Sequence, residues 1–365
     1  MASAAGVVLV AVTASTLCLT SGCSSVGYLA QSASGHIGLL HSAKPVGDWL
    51  QDPATPEPLK QRLALTQRMR DFAVSELAQP DNHSYRRYAD LQRPAAVWNV
   101  VGAPELSLTL QTWCFPIVGC VGYRGYFHLA DAEAAAQALR ASAAPGALEV
   151  SVYPVPAYST LGYSDWLGGD PLLSSFIHWP EGELARLIFH ELSHQVVYVA
   201  GDTMFNESFA TSVERLGGER WLGAHASEQA REQYRQFDGR RQDLRTLLLR
   251  SREPLATLYA GHEPDTVKRQ RKAAIMAAML REYAELKAQR WAGYAGYDAY
   301  VNSANNATLG IQAAYTQWVP AFDALFEQQG RDFKRFYAEV RRLAARPKAE
   351  RDAALQALMP ASAGH

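Results

Sequence analysis

The chain has 365 residues, of which 48% are hydrophobic and 19% charged, a balance that excludes a disordered or low-complexity protein and leaves enough apolar surface for a sizeable core. Lys and Arg total 35 against 36 for Asp and Glu, a formal net charge of -1. That near-neutrality argues against nucleic acid as a partner.

In chain order, residues 1–22 form an apolar, small-residue stretch that ends in Thr20-Ser21-Gly22-Cys23. This reads as a lipoprotein signal peptide, with Cys23 the lipidated first residue of the mature chain and the envelope as destination. The apolar run is short for a transmembrane anchor and is broken by Ser and Thr. Ser24 rather than Asp after the cysteine favours the outer membrane. Residues 23–55 are expected as a tether, around Ser24-Ser25 and Ser32-Ala33-Ser34-Gly35, with a short helix within 36–50.

Residues 59–77 show amphipathic helical spacing through Leu63, Leu65, Met69, Phe72 and Leu77. Strands are expected at 95–101, 106–113, 121–129 and 148–153, where β-branched and aromatic residues gather, with a helix at 131–142. Cys114 and Cys120 are the two cysteines left after Cys18 and Cys23. In an exported protein they are expected to form a short-loop disulfide, in preference to a second metal site. Residues 158–162 are a candidate active-site loop.

The chemistry concentrates in residues 184–217. Trp179-Pro180-Glu181-Gly182-Glu183 is a helix start, and Gly201 supplies a stop about twenty residues later. Within this helix His190, Glu191 and His194 spell H-E-x-x-H. Residues four apart lie about 40° apart around a helix, so both imidazoles can reach one metal ion while Glu191 sits beside it. Asp202 and Thr203 start a second helix, which Gly217-Gly218 are expected to end, and Glu207 lies near its beginning. On that reading His194 is about 9 Å before the end of the first helix and Glu207 about 6 Å into the second. Folding the helices back on each other brings the two depths together. His190, His194 and Glu207 are thus the candidate metal ligands, with Zn²⁺ the expected ion. Asn206 and Glu214 are candidates to orient a histidine.

Beyond residue 218 the pattern is almost wholly helical, at 224–251, 265–291 and 332–343, with charged faces that read as solvated. The amide- and phenol-rich residues 294–315 are expected to form a polar core or to line a cleft.

Taken together, F-H-E-L-S-H-Q, F-N-E-S-F-A-T-S-V-E-R-L-G, A-Y-S-T-L-G and W-C-F-P-I-V-G-C-V-G-Y-R-G-Y-F resemble the predicted bacterial aminopeptidase family, whose members are often lipoproteins. H-E-x-x-H with a downstream Glu is also the ligand pattern of gluzincin metallopeptidases. Only twelve residues separate His194 from Glu207, fewer than in the best-known gluzincins. The resemblance implies an α+β, zincin-like fold: a small mixed sheet, then a metal-binding helix pair within 56–218, then a mostly helical lobe at 219–365. It implies zinc-dependent peptide hydrolysis with Glu191 as general base. Across the cleft, Tyr315 is the expected hydrogen-bond donor to the developing oxyanion. The peptide is the expected partner, and a lipid-anchored envelope location is expected; an endopeptidase and a non-catalytic, zinc-stabilised peptide binder are the alternative readings.

Overall fold

The computed structural model describes residues 27–115, 119–144, 147–157, 159–162, 165–314 and 317–360. Cys23, Tyr158 and Tyr315 lie outside them.

The first helix, α1 (27–42), runs through Ser32 to Gly35, so the stretch expected as a tether is helical. Its Gly35 meets the Phe127 ring so closely that a Cβ would lie 2.2 Å from Cδ2. β1 (Lys44–Pro45), α2 (Val46–Gln51) and α3 (Glu57–Ser75) follow. β1 pairs antiparallel with β2 (Arg87–Ala89).

The second sheet is centred on β3 (Val97–Pro104). After it come the hairpin strands β4 (Trp113–Phe115) and β5 (Gly119–Val121), then β6 (Arg124–Tyr126), α4 (Leu129–Ala141) and β7 (Leu148–Val155). The strand order is β6-β3-β7, and β7 pairs antiparallel along all of β3, from Val97↔Val155 to Pro104↔Leu148. Val100 packs with Val150 and the alanines of α4, while Val101 and Ala103 face Ala307 and Ile311 on the other side. Burial of both faces explains why β3 is an apolar run rather than an alternation. Cys114 and Cys120 are opposite one another in the β4-β5 hairpin and are disulfide-bonded, as expected.

The strand expected at 106–113 does not form before Trp113. Its leucines fill gaps left by glycines: Leu108 carbonyl and Leu110 side chain lie where a Cβ on Gly310 would meet them at 2.8 Å. The alternation there reflects packing and carries no ladder.

β8 (Leu172–Leu173) completes the first sheet by pairing parallel with β2. Then come α5 (Glu181–Ser193), α6 (Thr203–His225), α7 (Glu228–Ala260) and α8 (Asp265–Gln289). The last helices are α9 (Asp298–Asn302), α10 (Asn306–Ala314), α11 (Val319–Gln328), α12 (Phe333–Ala344) and α13 (Lys348–Leu358). The fold is α+β, mostly helical after the sheets.

One large apolar core joins α3, α5 and α6 to α11, α12 and α13, whose phenylalanines Phe322, Phe326 and Phe336 are fully buried. A second packs α7 and α8 against Trp291, Val301 and Leu309. Of the described residues in 294–314, those before 306 are mostly half-buried or exposed, and the polar core narrows to Asn306 and Thr308. Asn306 is 0% exposed and donates through Nδ2 to the carbonyls of Pro104 (3.0 Å) and Glu105 (2.7 Å), while Tyr259 donates to its Oδ1 at 2.9 Å. These bonds dock α10 on the end of β3.

Candidate metal centre

α5 and α6 run antiparallel, with Trp221 Nε1 donating to Glu181 at one end of the pair and His190 meeting Glu207 at the other. α6 does not end at Gly217-Gly218. A Cβ on Gly217 would lie 2.7 Å from Leu77 Cδ1 and 3.1 Å from Phe189, and one on Gly218 would lie 2.7 Å from Arg186 Cγ. These glycines let α5 approach α6 closely and are not a stop.

α5 ends earlier than its sequence suggests. His194 is its C-cap, so the motif occupies the last turn and not the middle of the helix. Turn bonds from Gln195 N to the Leu192 carbonyl and from Val196 N and Val197 N to the Ser193 carbonyl take over from the helix, and side chains brace the turn. Gln79 Nε2 donates to the Phe189 carbonyl at 2.7 Å, and Asn206 pins the connection by accepting from Val199 N and donating to Val199 O, both at 2.8 Å. Asn206 therefore staples the turn and does not orient a histidine. Asp202 caps α6 by accepting from Phe205 N at 3.2 Å, and Arg351 of α13 donates to its other oxygen at 2.6 Å.

The turn brings three donor atoms together. His190 Nε2 lies 3.2 Å from Glu207 Oε2 and 3.3 Å from His194 Nε2, and His194 Nε2 lies 3.8 Å from Glu207 Oε2. Bonds of about 2.0–2.1 Å in a tetrahedral zinc site put neighbouring ligand atoms about 3.3–3.4 Å apart. The spacing fits a single ion held by His190, His194 and Glu207, which could hold a metal as a group. His194 is 7% exposed. Burial lowers its pKa to about 4, so its imidazole is neutral and its Nε2 lone pair is free to bind. Its Nδ1 has no partner among the described residues.

His190 is oriented from behind. Its Nδ1 lies 2.8 Å from Glu214 Oε2, and since a carboxylate can only accept, the proton sits on Nδ1 and Nε2 faces the centre. Burial pulls the His190 pKa down, but Glu207 and Glu214 outweigh it and raise it well above the imidazole range. A proton and a metal ion are alternative answers to that negative charge.

Glu214 is fixed in turn by Arg186, which is 4% exposed and also bonds Tyr234 (2.8 Å) and Asp238 (2.9 Å). Burial pushes the Glu214 pKa up, and Arg186 with His190 reverses this and holds it at about 2. Arg186→Met is expected to destabilise the fold by ~3–5 kcal/mol, because it leaves buried carboxylates without their cation. A urea midpoint within error of the parent's would show that Arg186 does not carry this charge.

Glu191 follows His190 in the chain and lies close enough to His190 and Glu207 for their charges to act on it. Burial raises its pKa to about 7, against the lowering effect of His190, which suits a group that takes and returns a proton near neutrality. Nearby, Asp170 is 1% exposed and accepts from Thr160 N at 3.0 Å and Thr160 Oγ1 at 2.6 Å. It thereby holds residues 159–162, where Leu161 and Gly162 have φ of 57° and 81°, against Gln195, the residue after the motif. The described part of the candidate loop thus lies beside the residue that follows the motif.

Several contributors are not evident from sequence. Tyr198 sets its ring edge-on to His194, with 6.3 Å between centroids, and burial, with Glu207 near enough to add to it, pushes the Tyr123 phenol well up. Arg186 does carry a signal: it is a charge in an otherwise apolar run, one turn before His190.

Two buried imidazoles and a carboxylate converging on one point, with a second carboxylate, Glu191, close by, define an α+β protein with a candidate mononuclear metal centre. The chain belongs to the family described as "Putative aminopeptidase", whose model matches residues 27–355. Comparison with curated proteins and with solved structures gives no match. Membership of this family points to a hydrolase of the peptidase class.

Proposed function

We propose that the protein is a zinc-dependent metallopeptidase of gluzincin type that removes residues from peptide N-termini and is anchored in the bacterial envelope through a lipid on Cys23. The convergence of His190, His194 and Glu207 within bonding reach of one ion, with Glu191 beside them, carries the reading. Bound there, Zn²⁺ would supply a Lewis acid for the scissile carbonyl and lower the pKa of water toward neutrality.

The residues of the chain do the rest. Glu191 takes the proton of the attacking water and passes it to the leaving amine. Glu214, braced by Arg186, keeps His190 in the tautomer that leaves Nε2 unprotonated. Residues 159–162, held by Asp170 beside Gln195, would offer backbone groups to an extended peptide. Tyr315 is proposed to donate to the oxyanion. The outer membrane is the proposed site of the lipid anchor, with a peptide substrate and no nucleic acid.

Metal analysis and cleavage of a mixed peptide library, run on the same purified full-length protein, test this. About one zinc per chain is expected, with products shortened from the N-terminus. Zinc without cleavage would leave a peptide binder, and internal cuts alone would make it an endopeptidase.

A further inference from the structure

Residues 1–43 contain no Asp, Glu, Lys or Arg, in a chain of which 19% is charged. The second half of that run is α1. One side of α1 closes the open edge of the sheet: Gln31 Nε2 donates to the Gly125 carbonyl at 3.1 Å, and Gly125 N donates to the Tyr28 hydroxyl at 3.2 Å. Leu39 and Leu40 at its C-terminal end are buried.

The other side faces outward and is mostly apolar, with Ser34 and, at its end, His41 among its polar members. Leu29 is 47% and Ile37 50% exposed, with Ala30, Ala33 and Gly38 exposed between and beside them. Two more exposed large side chains belong to the same region. Leu129, 42% exposed, follows Phe127, whose ring packs on Gly35. Leu167, 43% exposed, has its carbonyl on Arg87, which also bonds the carbonyls of Leu40 and Ala43. Among the described residues only one other large hydrophobic side chain, Leu280 on α8, is comparably exposed.

We infer that this face of α1, with Leu129 and Leu167 at its margins, lies on the lipid bilayer. This rests on the envelope-anchoring reading above. Cys23 is four residues from the start of α1, so at roughly 3.5 Å per residue a lipid on it enters the membrane within ~14 Å of that helix. A face without Asp, Glu, Lys or Arg enters the interface with no fixed charge to desolvate, His41 lying at its end near Lys44. α1 is shorter than the ~20 apolar residues needed to span, and no described helix is long and apolar enough to cross a membrane. It therefore rests in the interface, adding a second attachment to the acyl anchor. Lys44, exposed and the first charge of the chain, follows at the end of α1, where anionic headgroups would meet it.

The full-length protein, carrying photoreactive p-benzoylphenylalanine in place of Ile37 or, as a control, of Leu280, is irradiated in Gram-negative cells. Membrane and soluble fractions are then analysed by mass. A phospholipid adduct at position 37 and none at 280 is expected. Membrane-held protein with no lipid adduct at 37, or with a crosslink there to a second copy or to residues 1–26, overturns the placement of α1 and leaves the anchor standing. Protein found only in the soluble fraction overturns the anchor and the placement together.

Discussion

Glu191→Gln should keep its metal and its fold and lose hydrolysis by about 10²–10⁴-fold. The amide matches the carboxylate in shape, and among the described residues no hydrogen bond or ion pair holds Glu191 in place, so little structure depends on its charge. His190, His194 and Glu207 keep their mutual spacing. What disappears is the ability to accept a proton, at a group whose pKa burial has already raised to about 7. Loss of buried charge beside Glu207 should leave thermal stability equal or slightly higher. Wild-type turnover with the metal retained would mean that another group moves the proton, and the proposed mechanism would have to be given up.

Glu207→Ala should strip the metal from the protein at equilibrium with a modest chelator, with activity lost in step. Its carboxylate is the only anionic member of the ligand trio, at 12% side-chain exposure between two imidazoles, and two histidines alone leave a catalytic zinc site short of its usual three protein ligands. Burial works against its ionisation, but His194 and His190 prevail and lower its pKa, so the ligand is charged before any ion arrives. Elemental analysis of parent and variant, prepared side by side, reads the effect. Full occupancy in the Ala protein would remove Glu207 from the ligand set, and attention would pass to Glu214. Glu207→Gln is the companion variant, since it keeps the volume and should lose most of the affinity without opening a cavity.

Some of this site was legible because helix periodicity is a local property. The four-residue step from His190 to His194 and the seven-residue step from Glu207 to Glu214 each return to nearly the same helix face. The capping role of Asp202 and the disulfide between Cys114 and Cys120 were readable in the same way, from short-range chemistry. Tyr315 and Cys23 lie outside the described residues.

The misreadings share a cause. Gly217-Gly218 looks like a helix end because glycine ends helices, yet the same residue type is required where two helices nearly touch, and the strip of chain around it is identical in both cases. The stop after Ser193 carries no Gly or Pro; its last carbonyls turn to local bonds from Gln195, Val196 and Val197, and the turn is braced by Gln79, 110 residues away, on the Phe189 carbonyl and by Asn206, seven residues on, at Val199. In the same way the leucines of 106–112 alternate as a strand would, and only the glycines opposite them reveal that they plug gaps.

By itself, then, the sequence determined the chemistry on offer: which residues can bind an ion, which can carry a proton, and which helix faces present them. The tertiary structure alone decided how the offer is assembled. It set where α5 stops, how closely α6 lies against it, and that Arg186 braces Glu214 behind His190. Capping, close approach and charge pairing are contacts between segments far apart in the chain, and no local pattern encodes which partner will be there to make them.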